Sequence, residues 1–230
     1  MHKQITLSAS QPTLYPWIGY FNMIKNSDVF VFLDNVKFKK QTWHMRNRLK
    51  SGSKVDESEI WVHIPTNLSK TETLIKDVLI DNGQDWRKKH LDIFQYNYGK
   101  EHRKIAFLNE LYLKDWERIS DFNIEFITKC CQFLEIDTKL VRASELNAEG
   151  KKSGLILDIC KELKANKLIA NSGSNNYLEK DKEIFENENI TISYHNYRTQ
   201  KYNQKGEIFF ENLSILDLLF SENKNSKNFI

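Results

Sequence analysis

Cysteine, proline and glycine are all scarce in this chain of 230 residues: three, three and eight, respectively. The thiols are Cys130, Cys131 and Cys160, with no CxxC pair and no Cys/His metal spacing. That pattern argues against a disulfide framework or a structural zinc site and fits a reducing compartment. So few breakers exclude collagen-like and low-complexity classes, and a hydrophobic fraction of 40% argues against disorder. No apolar run reaches the length of a membrane span, and "MHKQITLSAS" lacks the basic-then-apolar pattern of a signal peptide. A cytoplasmic protein with no membrane span is the expectation. Missing too are a Gly-x-Ser-x-Gly elbow, a His-Glu-x-x-His pair and a dinucleotide fingerprint. Nor does one sign of charge dominate: 34 basic against 31 acidic residues leave +3, too even by itself to argue for nucleic acid.

What is present is an alternation of strand-like and helix-like segments. "ITLSAS" reads as a strand, "GYFNMIKNS" as a short helix, and "DVFVFLDNVKF" as a strand apolar on both faces, together a βαβ unit. "EIWVHIPT" and "LIKDVLID" suggest two more strands, and from "DWRKKHLDIFQYNYGKEH" the period turns helical to about residue 135. "KLVRAS", "KLIANSG" and "ITISYHNY" follow as strands, with helices at "GLILDICKELKA" and "LSILDLLFSE". The expectation is a single α/β domain over 1–225, with a Rossmann-like, mainly parallel sheet, a helical insertion at about 84–135 and a frayed tail at 226–230.

Four stretches could carry chemistry. "QPTLYPWIGYF" gathers Tyr15, Trp17 and Tyr20 around Gly19 directly after a strand, either as a ligand platform or as a mini-core folded over the sheet. In "LDNVKFKKQTWHMRNRL", Asp34 follows a buried strand and needs a partner, for which Lys37, Arg46 or Arg48 are candidates. Arg46 with Asn47 suits a phosphate or carboxylate, and His44 is a candidate acid or base. The same run, extended to Lys54, is rich in basic residues and free of carboxylates from Lys37 onward. "LIANSGSNNYLE" ends a strand in short polar groups from Asn171 to Asn176, a turn that caps a helix or cradles an anion. In "YHNYRTQKYNQ", Tyr194, His195, Tyr197, Arg198, Tyr202 and Gln204 alternate and could wall the same cleft or form a half-buried sheet.

Taken together, "SASQPTLYPWIGYFNMIKNSDVFVFLDNVKFKKQTWHMRNRLK", "DWRKKHLDIFQYNYGK", "LIANSGSNNYLEKDKEIFENENITISYHNY" and "NLSILDLLF" resemble the WbqC-like protein family nearly end to end. The motif positions carried over are Gln11, Pro12, Tyr15, Pro16, Trp17, Gly19, Tyr20, Asp34, Trp43, Arg46, Asn47, Tyr177, Tyr202, Ser214 and Asp217. The resemblance implies an enzyme of surface-polysaccharide clusters that attaches an amino acid such as glycine to an amino sugar of O-antigen. A nucleotide-linked amino sugar, an amino acid or acyl donor, and amide formation follow from it. The order of elements also looks like the nucleotidylyltransferase-type fold of pantothenate synthetase, which activates a carboxylate as an acyl-adenylate. The two histidines of that fold's first loop are replaced here by Tyr15-Pro16-Trp17, so ATP with magnesium is a hypothesis only.

On this reading Asp34, His44, Asn171 and Ser172 are the catalytic candidates. Asp34 serves as base on the amine, and Asn171 and Ser172 face the oxyanion. Gln11, Tyr15, Trp17, Gly19, Tyr20, Lys37, Trp43, Arg46, Asn47, Ser174, Tyr177 and Tyr202 are the substrate-binding candidates, with Arg46 and Lys37 on the diphosphate. Two alternatives stand beside it: a non-catalytic sugar-nucleotide-binding or assembly module, and tRNA-dependent transfer prompted by the basic run.

Overall fold

The computed structural model describes residues 4–52, 57–68 and 72–230, with the side chain of Ser172 also outside the description. Lys54 of the basic run lies outside the described residues. The chain opens with β1 (Thr6–Ser10), α1 (Ile18–Lys25) and β2 (Val29–Phe32). A long excursion then carries β3 (Arg46–Lys50), β4 (Glu59–His63), β5 (Thr66–Asn67), β6 (Leu79–Ile80), α2 (Trp86–Tyr98), α3 (Ala106–Leu113) and α4 (Ile119–Phe133). The chain returns with β7 (Lys139–Arg142), α5 (Ser153–Glu162) and β8 (Lys167–Ala170). It closes with α6 (Asn175–Lys180), α7 (Lys182–Glu186), β9 (Thr191–Tyr194) and α8 (Ile215–Glu222).

Five strands form one parallel sheet in the order β7-β2-β1-β8-β9. Counted within the sheet, that is 3-2-1-4-5, the Rossmann-like order, which reverses direction between β1 and β8. The apolar run of β2 explains why this sheet is covered on both sides. Successive side chains leave a strand on opposite faces. Phe30 and Phe32 enter one core with residues of α1, α4 and α8, while Val29 and Val31 enter another with Leu7, Ala9 and residues of α5. Burying a Phe side chain fully contributes roughly 2–3 kcal/mol, so both layers are anchored by the same four residues.

The excursion departs from the expected run of strands. "EIWVHIPT" supplies β4, but β4 pairs antiparallel with β3 as a separate hairpin, with Arg48 opposite Trp61. β3 hides in the basic run because Asn47 and Leu49 turn inward between Arg46 and Arg48, while Lys50 at its end is buried as well. "LIKDVLID" holds a 3-10 turn at Ile75–Asp77 before the two-residue β6. Its backbone is spent on the chain after β2: Ile75 N–H donates to Val36 O at 2.9 Å and Lys76 N–H to Asp34 O at 2.9 Å. The tail, expected to fray, instead forms a 3-10 helix at Asn223–Phe229 with Ser226 buried. Lys25 Nζ reaches the Ile230 carbonyl at 2.8 Å, and Tyr197 donates its hydroxyl to Phe229 O at 2.6 Å.

Candidate functional site

The carboxyl ends of β1, β2, β8 and β9 open into two adjoining clefts, where an open parallel sheet takes its ligands when its strand order reverses. One, of 690 Å³, is walled by Trp17, Tyr20, Trp43, Arg48, His195 and Tyr197. The other, of 800 Å³, is walled by Asn35, Lys37, Lys39, Lys151, Lys152 and Tyr177. Ser10, Gln11, Asn171 and Gly173 belong to both and form the neck between an aromatic and a cationic lobe.

The loop 11–17 that floors the neck is pinned carbonyl by carbonyl. Tyr20 donates its hydroxyl to Gln11 O at 3.1 Å, and Asn123 Nδ2 donates to Pro12 O at 3.1 Å. Asn47 Nδ2 donates to Leu14 O at 3.0 Å and Tyr15 O at 2.8 Å, and Ile215 N–H to Pro16 O at 2.7 Å. Leu14 N–H donates in turn to Trp43 O at 2.7 Å. Buried backbone groups need such partners, and here they come from α1, β3, α4 and the start of α8. Tyr15 sits at φ 45°, a left-handed conformation costly for a bulky residue, and is held there by this ring of donors.

Tyr15 itself faces away from the cleft and is fully buried. Its hydroxyl lies 2.5 Å from that of Tyr112 and 3.1 Å from His90 Nδ1. His90 Nε2 donates to His63 O at 2.9 Å, so Nδ1 is the acceptor for the tyrosine hydroxyls. Burial pushes the Tyr15 hydroxyl far above its ordinary value and lowers His90 to about 4. Tyr15 is therefore placed as core, and the expected platform narrows to Trp17 with its neighbours. Trp17 packs edge-on against Tyr197 at 5.8 Å, and Tyr20 stays buried against Phe21 and Phe30. A Cβ at Gly19 would lie 2.2 Å from the Trp17 indole, so a side chain there must displace that ring.

Asp34 does not meet Lys37, Arg46 or Arg48. It is fully buried, and its oxygens accept from Ser144 N–H at 2.9 Å and Ser144 Oγ at 2.7 Å. The reason is topological: β7 lies beside β2, so the turn after β7 arrives at Asp34. His44 is likewise buried, between Thr42 Oγ1 at 3.0 Å and the Gln11 side chain at 2.8 Å, and burial lowers it to about 4. It orients Gln11 from behind.

Arg46 lies 4.5 Å over the exposed Trp61 ring on the outer face of the β3–β4 hairpin. Tyr202 is buried, donating its hydroxyl to Asp217 at 2.6 Å; Tyr98 donates to the same carboxylate. Burial raises Asp217 above its ordinary value, and Ser214 Oγ caps α8 by accepting from Leu216 N–H at 3.1 Å. These motif positions hold α8 against the loop rather than line the cleft.

Trp17, Gly19, Tyr20, Trp43 and Asn47 are brought to the aromatic lobe, while Lys37, Ser174 and Tyr177 reach the cationic one and Gln11 and Asn171 reach both. Asn171 Oδ1 accepts from Ser174 N–H at 3.0 Å and so closes the 3-10 turn that leads into α6, whose own N-cap, Ser174, makes no side-chain cap bond. Lys39 was marked only as part of the basic run, and Lys151 and Lys152 escaped the sequence reading; the paired lysines beside Gly150 at the start of a helix were the available signal. His195, named only as a wall, stands at the end of β9, stacked parallel on Tyr197 at 6.3 Å. Its Nε2 donates to Asn22 Oδ1 at 2.8 Å, an oxygen that also accepts from Asn26. Nδ1 is thereby the basic nitrogen, and burial lowers the ring's pKa, so it is neutral at pH 7.

The basic run does not make one charged face. Lys50 is buried and paired with Glu57 at 2.8 Å, and Arg48 with Glu59 at 2.7 Å. Among the described residues no group of three or more His, Cys, Asp or Glu is gathered as a metal site. No helix among them is long and apolar enough to cross a membrane.

A family model described as the WbqC-like protein family matches residues 11–229. "Uncharacterized protein Rv1507c" of Mycobacterium tuberculosis is 26% identical over 226 residues, 96% of this chain and 95% of that one. No solved structure matches.

Proposed function

The chain belongs to the WbqC-like protein family, and we propose that it transfers an amino acid or other acyl group onto the amine of a nucleotide-linked amino sugar in surface-polysaccharide assembly. The observation that carries this reading is the shared neck: two lobes of different chemistry meet at Gln11 and Asn171. Two ligands, one in each lobe, would present their reacting ends to each other there, the proximity a group transfer needs. The sugar ring packs against Trp17 and Tyr197. Its neutral amine attacks the acyl carbonyl carbon, the bond to the donor's leaving group breaks, and the amine proton passes to His195 Nδ1. His195 takes the base role first expected of Asp34, because Asp34 is sealed from the cleft by Ser144.

Glycine is the first acyl group to try. Thermal shifts and product analysis with UDP- and dTDP-amino sugars, each with glycine and ATP-magnesium or an activated glycine, test the reading. A shift with an amino-sugar nucleotide that disappears in Trp17→Ala, together with an amide product, is expected. Binding without product under every donor would favour the binding-module alternative, and no binding at all would remove both. The pairing of Arg48 and Lys50 within the protein weighs against tRNA as the donor.

A further inference from the structure

The cationic lobe has a chemistry of its own. Lys37, Lys39, Lys151 and Lys152 converge on its 800 Å³, and the acid among the described lining residues is Glu72. Glu72 is already engaged: it pairs with Lys37 at 2.6 Å, and its carboxyl is held below its ordinary value first by Lys37 and then by Lys151. Three lysine charges are left over for something else. Lysines on an ordinary solvated face alternate with carboxylates and point apart, whereas these enclose a cavity of ligand size at strand carboxyl ends. Two loops far apart in sequence, 35–39 and 148–152, supply them, so their convergence is a property of the fold.

The wall between the lysines adds a second observation. Asn35 lines the same lobe, and its Oδ1 is buried without a hydrogen-bond partner. An acceptor repels a phosphate oxygen but suits a hydroxyl, and an unmet buried acceptor is costly unless a ligand supplies the donor. The combination asks for a polyanion whose carrier bears hydroxyl groups.

We propose that this lobe is an oligophosphate site, in which Lys39, Lys151 and Lys152 hold the phosphates of a nucleotide and Asn35 accepts from a hydroxyl of its ribose or sugar. The site stands independently of the transfer reading, since it concerns which anion binds and not what reacts. Two sources share the chemistry: the diphosphate of a sugar nucleotide and the triphosphate of a free nucleotide.

Titration calorimetry at low salt with inorganic pyrophosphate is the test, with phosphate, ATP and a UDP-sugar as further arms. Pyrophosphate should bind more tightly than phosphate, and its affinity should fall with added salt. The Lys151→Ala/Lys152→Ala double variant should lose at least about tenfold in affinity, whereas Trp17→Ala should not. Glu72→Gln, which frees Lys37, should tighten binding. Exposed lysines are replaced, so an unchanged melting curve without ligand is expected to accompany the loss. A UDP-sugar binding more tightly than ATP assigns the site to the sugar nucleotide, and the reverse order assigns it to a nucleoside triphosphate. No pyrophosphate binding by the unaltered protein, or equal binding by the double variant, overturns the proposal. Failure of the transfer reading would look different: pyrophosphate binds, yet no amide forms.

Discussion

Asn47 clamps Tyr15 in place: its side-chain amide donates to the carbonyl oxygens of Leu14 and Tyr15, while the Tyr15 backbone sits at φ 45°. A residue on a hairpin strand thus sustains a strained turn in a loop 32 positions away. Asn47→Ala leaves two buried carbonyls without a donor and should destabilise the fold by about 2–4 kcal/mol. Urea unfolding gives the number; a loss below about 0.5 kcal/mol would mean that the clamp carries no strain.

Asp34 separates a structural from a chemical role. Replacing it by Asn sets an amide N–H against the Ser144 donors, so Asp34→Asn should cost about 1–3 kcal/mol. The folded fraction should keep its ligand affinity and any turnover. Unchanged stability with lost turnover would restore Asp34 as the base.

Two buried imidazoles make stability pH-dependent in a stated window. Burial lowers His44 and His90 from 6.5 to about 4, so between these values the unfolded chain binds protons that the native one does not. Their contribution is complete above pH 6.5 and is lost as pH falls through 4, by on the order of 3 kcal/mol for each ring. Asp217, raised by burial, acts with the opposite sign from its ordinary value upward. Comparing His90→Gln with the parent protein from pH 7 to 4 isolates the imidazole: the variant's stability curve should fall less steeply. Parallel curves would contradict the assignment.

Gly19 keeps space for the Trp17 indole, whose far ring atoms would lie 2.2 to 2.6 Å from an added Cβ. A flexible side-chain end can swing aside, so Gly19→Ala should cost at most about 1 kcal/mol in stability. It should shift tryptophan emission and weaken any ligand of the aromatic lobe. A stable variant with unaltered binding would show that Trp17 does not contact ligand.

The three cysteines are buried, and burial pushes Cys131 and Cys160 up to about 12 and Cys130 well above its ordinary value. Thiolate is the reactive form. A thiol reagent at pH 8 should therefore label the native protein only as fast as it unfolds, and all three sites in urea. Rapid native labelling would contradict the burial.

Much of this was legible in the chain because it is local. A run such as "DVFVFLD" must bury both faces, and that alone calls for a sheet covered by helices on either side. The ring-rich loop after β1 and the "NSGSNN" turn after β8 could each be marked as strand-end features, and they do form opposite sides of the neck. What misled was the pairing of side chains across distance. Asp34 meets Ser144, 110 positions on, because strand order puts β7 beside β2. Tyr15 looked like platform and is core, since α2 and α4 return to cover it with Phe94, Phe122 and Phe126.

The same division holds for the site as a whole. Composition and periodicity by themselves determined an α/β chain with a parallel sheet and polar, aromatic loops at its strand ends, because burial of periodic apolar faces is a local demand. Only the tertiary structure decided which loops share a cleft. The order 3-2-1-4-5 sets the turns after β1 and β8 side by side and brings Lys39 to Lys151 and Lys152. Sequence separation says nothing about that neighbourhood; it is fixed by which strands pair, and pairing is settled by packing of the whole core.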